Sequence, residues 1–191
     1  MKLNPPLSVA GLCLFLMVGI SWQVGAYDED DLEKLQATGD CSGCDLSESD
    51  LSEAILTGAN LTNVNLTGAN LFEADLEWAF LLGANLEGAS LYLANLEGAS
   101  LYLANLEGAN LTGANLSEAI LINSDLTDAT IEQETLDQAF LCHTILPDGQ
   151  QSKCDLSGAN LEEANLWDAN LTKANLYEAN LGWANMTKAN L

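Results

Sequence analysis

Residues 84–118 read ANLEG ASLYL ANLEG ASLYL ANLEG ANLTG ANLSE, seven units of five residues with Leu at the centre of each and Ala two places before it. No α-helix explains that spacing. At 3.6 residues per turn a step of five turns the chain through about 500°, so successive Leu side chains would drift around the axis by about 140°. A strand needs a period of two, and no heptad is present. What fits is a coil with flat sides, in which each unit supplies one straight side and one corner and four units close a square.

Outward from this stretch the frame holds back to Cys44 and on to position 146, then resumes from Cys154 to Leu191. The central position occurs 29 times; Leu fills 27 of them, with Ile131 and Met186 in the others. Ala fills 22 of the 29 positions two residues earlier, as inward space beside four Leu side chains requires. The other three positions point outward. Coils stacked at the β spacing of ~4.8 Å pair their backbone groups up and down the stack. The Leu layers then form one continuous core that no single coil could bury. Residues twenty apart share a side, so Leu46, Leu66, Leu86, Leu106, Leu126 and Leu146 are expected to form one internal ladder, in a rod of roughly 35 Å.

This ANLXX pattern over residues 44–191 resembles the pentapeptide-repeat family. The resemblance implies an all-β solenoid, a right-handed quadrilateral β-helix. It speaks to fold far more than to function.

The flanks and interruptions divide the chain. Residues 1–26 have Lys2 before an apolar run at 7–20 and small residues Val24, Gly25 and Ala26, which reads as a cleaved signal peptide. An uncleaved anchor is the alternative. Leu12 before Cys13 speaks against a lipid anchor, and no stable membrane insertion is expected after cleavage. Residues 27–43 hold an acidic start with Leu32, Leu35 and Gly39, expected as a short N-terminal capping helix and linker. Repeats fill 44–146. Between Ile131 and Lys153 the pattern weakens. Glu134 stands where Ala should point inward, so a bulge or open corner is expected there. Pro147, Asp148 and Gly149 signal a turn, making 147–153 a surface loop before the β-helix continues through 154–191. The sequence stops within a repeat at Leu191, and three expectations follow: an exposed last coil, end-to-end pairing with a second copy, or a sequence that is a fragment.

Composition limits function. The chain has 28 Asp and Glu against 5 Lys and Arg, for a net charge of −23. Nucleic-acid binding, which neutralises phosphates with basic side chains, is not expected. An acidic surface suits solubility or basic partners. Export leaves Cys41, Cys44, Cys142 and Cys154, an even number that favours disulfides in an oxidising compartment. Cys41 and Cys44 lie between helix and first coil, within reach of each other. Their CxxC follows a helix rather than opening one, the wrong order for a redox site. FLCHTILPDG at 140–149, followed by Cys154, is similar to a segment of cyanobacterial and plastid-lumen members, which implies a Cys142–Cys154 clamp on the loop and a thylakoid lumen or periplasm as compartment.

No cofactor, metal site or catalytic constellation is expected. His143, the single His, reads as a loop residue. The acidic run at 28–31 lacks the spacing of a calcium loop, and Asn-Leu-Thr glycosylation triplets arise automatically from the repeat. The outward apolar residues are the candidate binding faces. Leu82, Tyr102, Ile122 and Cys142 are spaced by twenty on one side; Phe72 and Tyr92 lie on the opposite one, with Leu93 and Leu103 beside them. The expected function is a non-catalytic structural or protein-binding rod with an unknown protein partner. The resemblance implies one alternative, an acidic DNA mimic that binds DNA gyrase, as some cytoplasmic members do, or another DNA-binding protein.

Overall fold

The computed structural model describes residues 27–191 apart from 163, 165 and 168. The expected signal segment, with Cys13, lies outside the described residues. Each unit makes one β-type contact and one corner. Parallel bridges link residues twenty apart, as in Asn65↔Asn85, Asn85↔Asn105 and Asn105↔Asp125, so a coil contains four sides. The pairing is reciprocal. Leu86 N–H donates to the Asn105 carbonyl at 2.7 Å, and Asn105 N–H donates back to the Ala84 carbonyl at 2.9 Å. At each corner the Ala N–H closes a turn onto the preceding Leu carbonyl, as Ala89 does on Leu86 at 3.0 Å. The residue before that Ala holds positive φ, as the third residue of a type II turn must. Among the described residues fifteen that are not glycine do so, with φ between 53° and 65°, all at the fifth position of the unit. Each costs about 1–2 kcal/mol relative to the right-handed region. The Leu residues offset this: every central Leu from Leu46 through Leu126 is 0–1 % exposed. Each contributes about 1.5–3 kcal/mol of burial.

The second position of the unit explains much of the Asn and Asp content. Asn65 Oδ1 accepts from Thr67 N–H at 3.2 Å within its own turn, while its Nδ2 donates to Asp45 Oδ1 one coil earlier at 2.9 Å. The same bonds recur at Asn70–Asp50, Asn95–Asp75 and Asn175–Asp155. These carboxylates are structural acceptors. Where Ser replaces the inward Ala, its hydroxyl is satisfied: Ser49 Oγ donates to the Leu46 carbonyl at 2.7 Å and Ser124 Oγ to Leu121 at 2.8 Å.

Helix α1, Glu29–Thr38, covers the first coil. Asp28 caps it by accepting from Asp30 N–H at 2.9 Å, and Gly39 ends it at φ 68°. Leu35 is fully buried in the stack core. Asp31 Oδ2 accepts from Asp45 N–H, and the Asp45 carbonyl from Asp28 N–H. Coil pairing begins at Asp40↔Asn60, one unit before the Cys44 start that the Leu pattern gives. Cys41 takes the Leu place there, fully buried, a small hydrophobe where the pattern looks for a large one. At the weak end, Glu134 falls in a short helix α2, Gln133–Leu136, and is exposed. The helix replaces one side while Leu136 still reaches the core, so the twenty-residue register survives at Ile120↔Phe140.

The largest departure from expectation follows. The turn at 147–149 starts a hairpin, with Ile145↔Gln151 antiparallel and Leu146 N–H donating to the Gln150 carbonyl at 2.7 Å. That reversal diverts the chain from the stack axis, so residues 154–191 do not continue the main stack. They build a stack of their own, in which Leu156, Leu161, Leu166 and Leu171 N–H donate to the carbonyls of Asn175, Asn180, Asn185 and Asn190. Tyr102 OH donates to the Trp167 carbonyl at 3.2 Å. In an uninterrupted stack these residues would sit three coils apart, ~14 Å.

Candidate binding faces and the disulfide-clamped junction

In both stacks the carbonyls at a coil's second and fourth positions accept from the coil before it. The first coil of the C-terminal stack has no coil before it, and three of its carbonyls turn to the main stack instead. Trp167 accepts from Tyr102 OH, Asn170 lies 3.8 Å from Cys142 Sγ, and Thr172 accepts from His143 Nε2 at 3.2 Å. The C-terminal stack therefore stands end-on against the side that carries Leu101, Leu121 and Leu141. Its inward residues Leu156, Leu161, Leu166 and Leu171 share one core with outward residues of the main stack, Tyr102, Ile120 and Ile122, while Leu82 and Phe140 pack at the edge.

This corrects the expected exposed ladder. Tyr102 and Ile122 are 2 % and 0 % exposed, because the C-terminal stack covers them, and Leu82 is half-buried. Ile120 and Phe140 carry the signal for this cover. They occupy the second position, where most other units carry Asn, Asp, Ser or Thr, on the same side as Tyr102 and Ile122. A side apolar at two outward positions per unit is a side to be covered.

The opposite side differs. Phe72 and Tyr92 stack with ring centroids 5.8 Å apart and 16° between planes. Tyr92 and Leu93 stay 39 % and 43 % exposed. Leu93 lies over Gly113, whose added Cβ would come within 2.7 Å of Leu93 Cδ2. Leu103 is exposed, as are Trp78 and Phe80, which the spacing did not single out. On the C-terminal stack Tyr177 and Trp183 are exposed, and Lys188 Nζ lies 4.8 Å from the Trp167 ring centroid.

The hairpin register sets Cys142 opposite Cys154, three pairs on from Ile145↔Gln151, and the two are joined as a disulfide. Ser152 N–H donates to the Thr144 carbonyl, and Thr144 Oγ1 to the Leu121 carbonyl. At the other end Cys41 and Cys44 are joined across the first corner, with Cα atoms 5.2 Å apart, both buried under α1. Hydrogen bonds from the Ser47 hydroxyl and amide hold the Asp45 carboxyl below the ordinary value of 3.8, and Ser157 does the same for Asp155. No helix of the described residues is long and apolar enough to cross a membrane.

Fold and faces together define a four-sided repeat solenoid with a Leu core and one apolar flank open to solvent. The chain belongs to the pentapeptide-repeat family: the model of pentapeptide repeats matches residues 40–77, 69–108, 99–133 and 154–191. Members of this family fold as right-handed quadrilateral β-helices and are generally non-catalytic structural or binding proteins. Among solved structures, the chain is similar to HetL, a pentapeptide repeat protein involved in heterocyst differentiation regulation in the cyanobacterium Nostoc sp. strain PCC 7120. Identity is 36 % over 80 % of this chain and 70 % of that one, with a TM-score of 0.36. A pentapeptide repeat protein from the Arabidopsis thaliana thylakoid lumen is 33 % identical over 50 % of this chain and 71 % of its own, with a TM-score of 0.40. One from the cyanobacterium Cyanothece is 32 % identical over 55 % and 88 %, with a TM-score of 0.31. No curated protein matches the chain.

Proposed function

We propose that this protein is a non-catalytic binding rod of an exported compartment, a thylakoid lumen or periplasm, and that it docks a protein partner on the side bearing Phe72, Tyr92 and Leu93. The observation that carries this reading is internal. On the opposite side an outward apolar ladder of the same kind, Tyr102 and Ile122, is occupied by a folded protein surface, the chain's own C-terminal stack. The Phe72–Tyr92 ladder has the same chemistry, and Tyr92 and Leu93 remain open to solvent. With a net charge of −23 around it, the partner that fits presents an apolar spot ringed by basic side chains. Disulfides at Cys41–Cys44 and Cys142–Cys154 suit an oxidising compartment.

Affinity purification with crosslinking from the native compartment tests the proposal, comparing the wild type with Tyr92→Ser/Leu93→Ser. A partner held by the wild type and lost by the double variant is expected. Equal capture by both forms, or recovery of the chain from the cytoplasm with inhibition of gyrase supercoiling, counts against it and for the acidic DNA mimic.

A further inference from the structure

The hairpin that ends the main stack gathers soft donors that the sequence keeps apart. Cys142 and Cys154 face each other across it, His143 follows Cys142, and one ring nitrogen of His143 lies with both Sγ atoms inside a 4.8 Å circle of mutual distances. Cys142 is fully buried, Cys154 is 8 % exposed and His143 is half-buried. The ring is already oriented. The Thr172 carbonyl only accepts, so His143 Nε2 carries the proton and a neutral ring keeps its lone pair on Nδ1. A backbone carbonyl holding the far nitrogen is the usual support of a metal-binding His. As a disulfide the sulfurs bind nothing, and the function proposed above does not use this cluster.

We propose that the reduced junction is a site for a thiophilic divalent cation of the Zn2+ type, with Cys142 Sγ, Cys154 Sγ and His143 Nδ1 as donors and water in the fourth place. Zn–S near 2.3 Å and Zn–N near 2.0 Å set tetrahedral donors about 3.5–3.8 Å apart, so on reduction the two sulfurs must part by about 1.7 Å while the ring nitrogen is already within 4.8 Å. The chemistry balances in two steps. A dithiol reductant attacks one sulfur, passes through a mixed disulfide and leaves as its own disulfide, giving Cys142 and Cys154 two thiol protons. The cation then displaces both protons to bind the thiolates. The junction thus has two closed states, a disulfide and a metal bridge, and both hold the C-terminal stack, since Thr172 orients the His143 ligand. The numerous surface carboxylates favour hard cations, so the test must see sulfur.

Co2+ reports sulfur ligation by a thiolate-to-cobalt charge-transfer band together with tetrahedral d–d bands. The full chain is titrated with Co2+ and then Zn2+ after phosphine reduction, in Cys41→Ser/Cys44→Ser, in Cys142→Ser/Cys154→Ser and unsubstituted, with circular dichroism confirming the fold. Reduced Cys41→Ser/Cys44→Ser and reduced wild type are expected to develop the band, Zn2+ to abolish it, and His143→Ala to weaken binding about tenfold or more. The oxidised chain and Cys142→Ser/Cys154→Ser are expected to show none. A folded, reduced chain without the band, a band that survives in Cys142→Ser/Cys154→Ser, or an affinity unchanged by His143→Ala would overturn the proposal.

Discussion

Gly98 and Trp78 hold the same corner one coil apart, and they show how the repeat tolerates a large side chain. Gly98 has φ 63°, and a Cβ built on it would lie 2.4 Å from Trp78 Cε3 and Cζ3. The indole lies over the glycine. Gly98→Ala should therefore lose about 2–4 kcal/mol, part from the left-handed backbone and part from overlap with the ring. In a Trp78→Ala background the overlap disappears, and the cost should fall to about 1–2 kcal/mol, a non-additivity that urea denaturation of the four chains reads directly. Asp45 makes a second residue-scale case. Its carboxyl is held below 3.8 mainly by the Ser47 hydroxyl and amide. A depressed native value means that the stabilisation is present above the unfolded value and is lost as pH falls through the native one. Asp45→Asn keeps an oxygen acceptor, as Asn65 does in the same role, so it should change stability little at pH 7 and flatten the acid limb below about pH 4. An acid limb as steep as in the wild type would contradict this.

Among the elements, the hairpin at 145–151 matters most, because it decides where the last repeats go. The C-terminal stack has two coils, fewer than the three or more repeats that stand alone, and leans on Tyr102, Ile120 and Ile122. Its attachment rests on that apolar contact, the hydrogen bonds from Tyr102 and His143, and the Cys142–Cys154 bond. Cys142→Ser/Cys154→Ser in metal-free buffer should weaken the attachment by about 2–3 kcal/mol, the scale for a loop of this size. Hydrogen exchange should then rise in residues 154–191 ahead of residues 60–125, and Tyr102 should become open to iodination. Uniform exchange across both stacks would sink the idea. The sequence reads well up to this element. The period of five makes the coil, the Leu and Ala positions and the corners legible, because each unit repeats one local instruction. The hairpin was visible as a turn at Pro147, Asp148 and Gly149, yet its direction was not. A turn signal fixes local dihedrals, whereas the choice between stacking onward and folding back depends on what surface waits at the flank. Ile120 and Phe140 carry that information outside the repeat pattern. The burial of Tyr102 escapes the repeat pattern for the same reason.

For the whole molecule, the surface divides by side. One flank is covered by the C-terminal stack, the opposite flank carries Tyr92 on Phe72, and the second positions are laced with Asn and Asp. A partner attracted by −23 charges should associate more slowly as salt rises, while dissociation from the Tyr92 face changes less. Stopped-flow association at two ionic strengths checks this, and a rate indifferent to salt would remove charge from the recognition. The duplicated decapeptide gives the coil a further consequence. Residues 85–94 and 95–104 are identical, NLEGASLYLA twice, yet Tyr92 is 39 % exposed and Tyr102 is 2 % exposed. Ten residues are half a revolution, so copying ten transposes everything downstream to the far flank, whereas copying twenty only lengthens the rod. In such a molecule, length is spatial phase. A chain lacking residues 95–104 should keep its coils but bring Ile122 and Cys142 into line above Tyr92, so that the C-terminal stack closes over the flank that is open in the native chain.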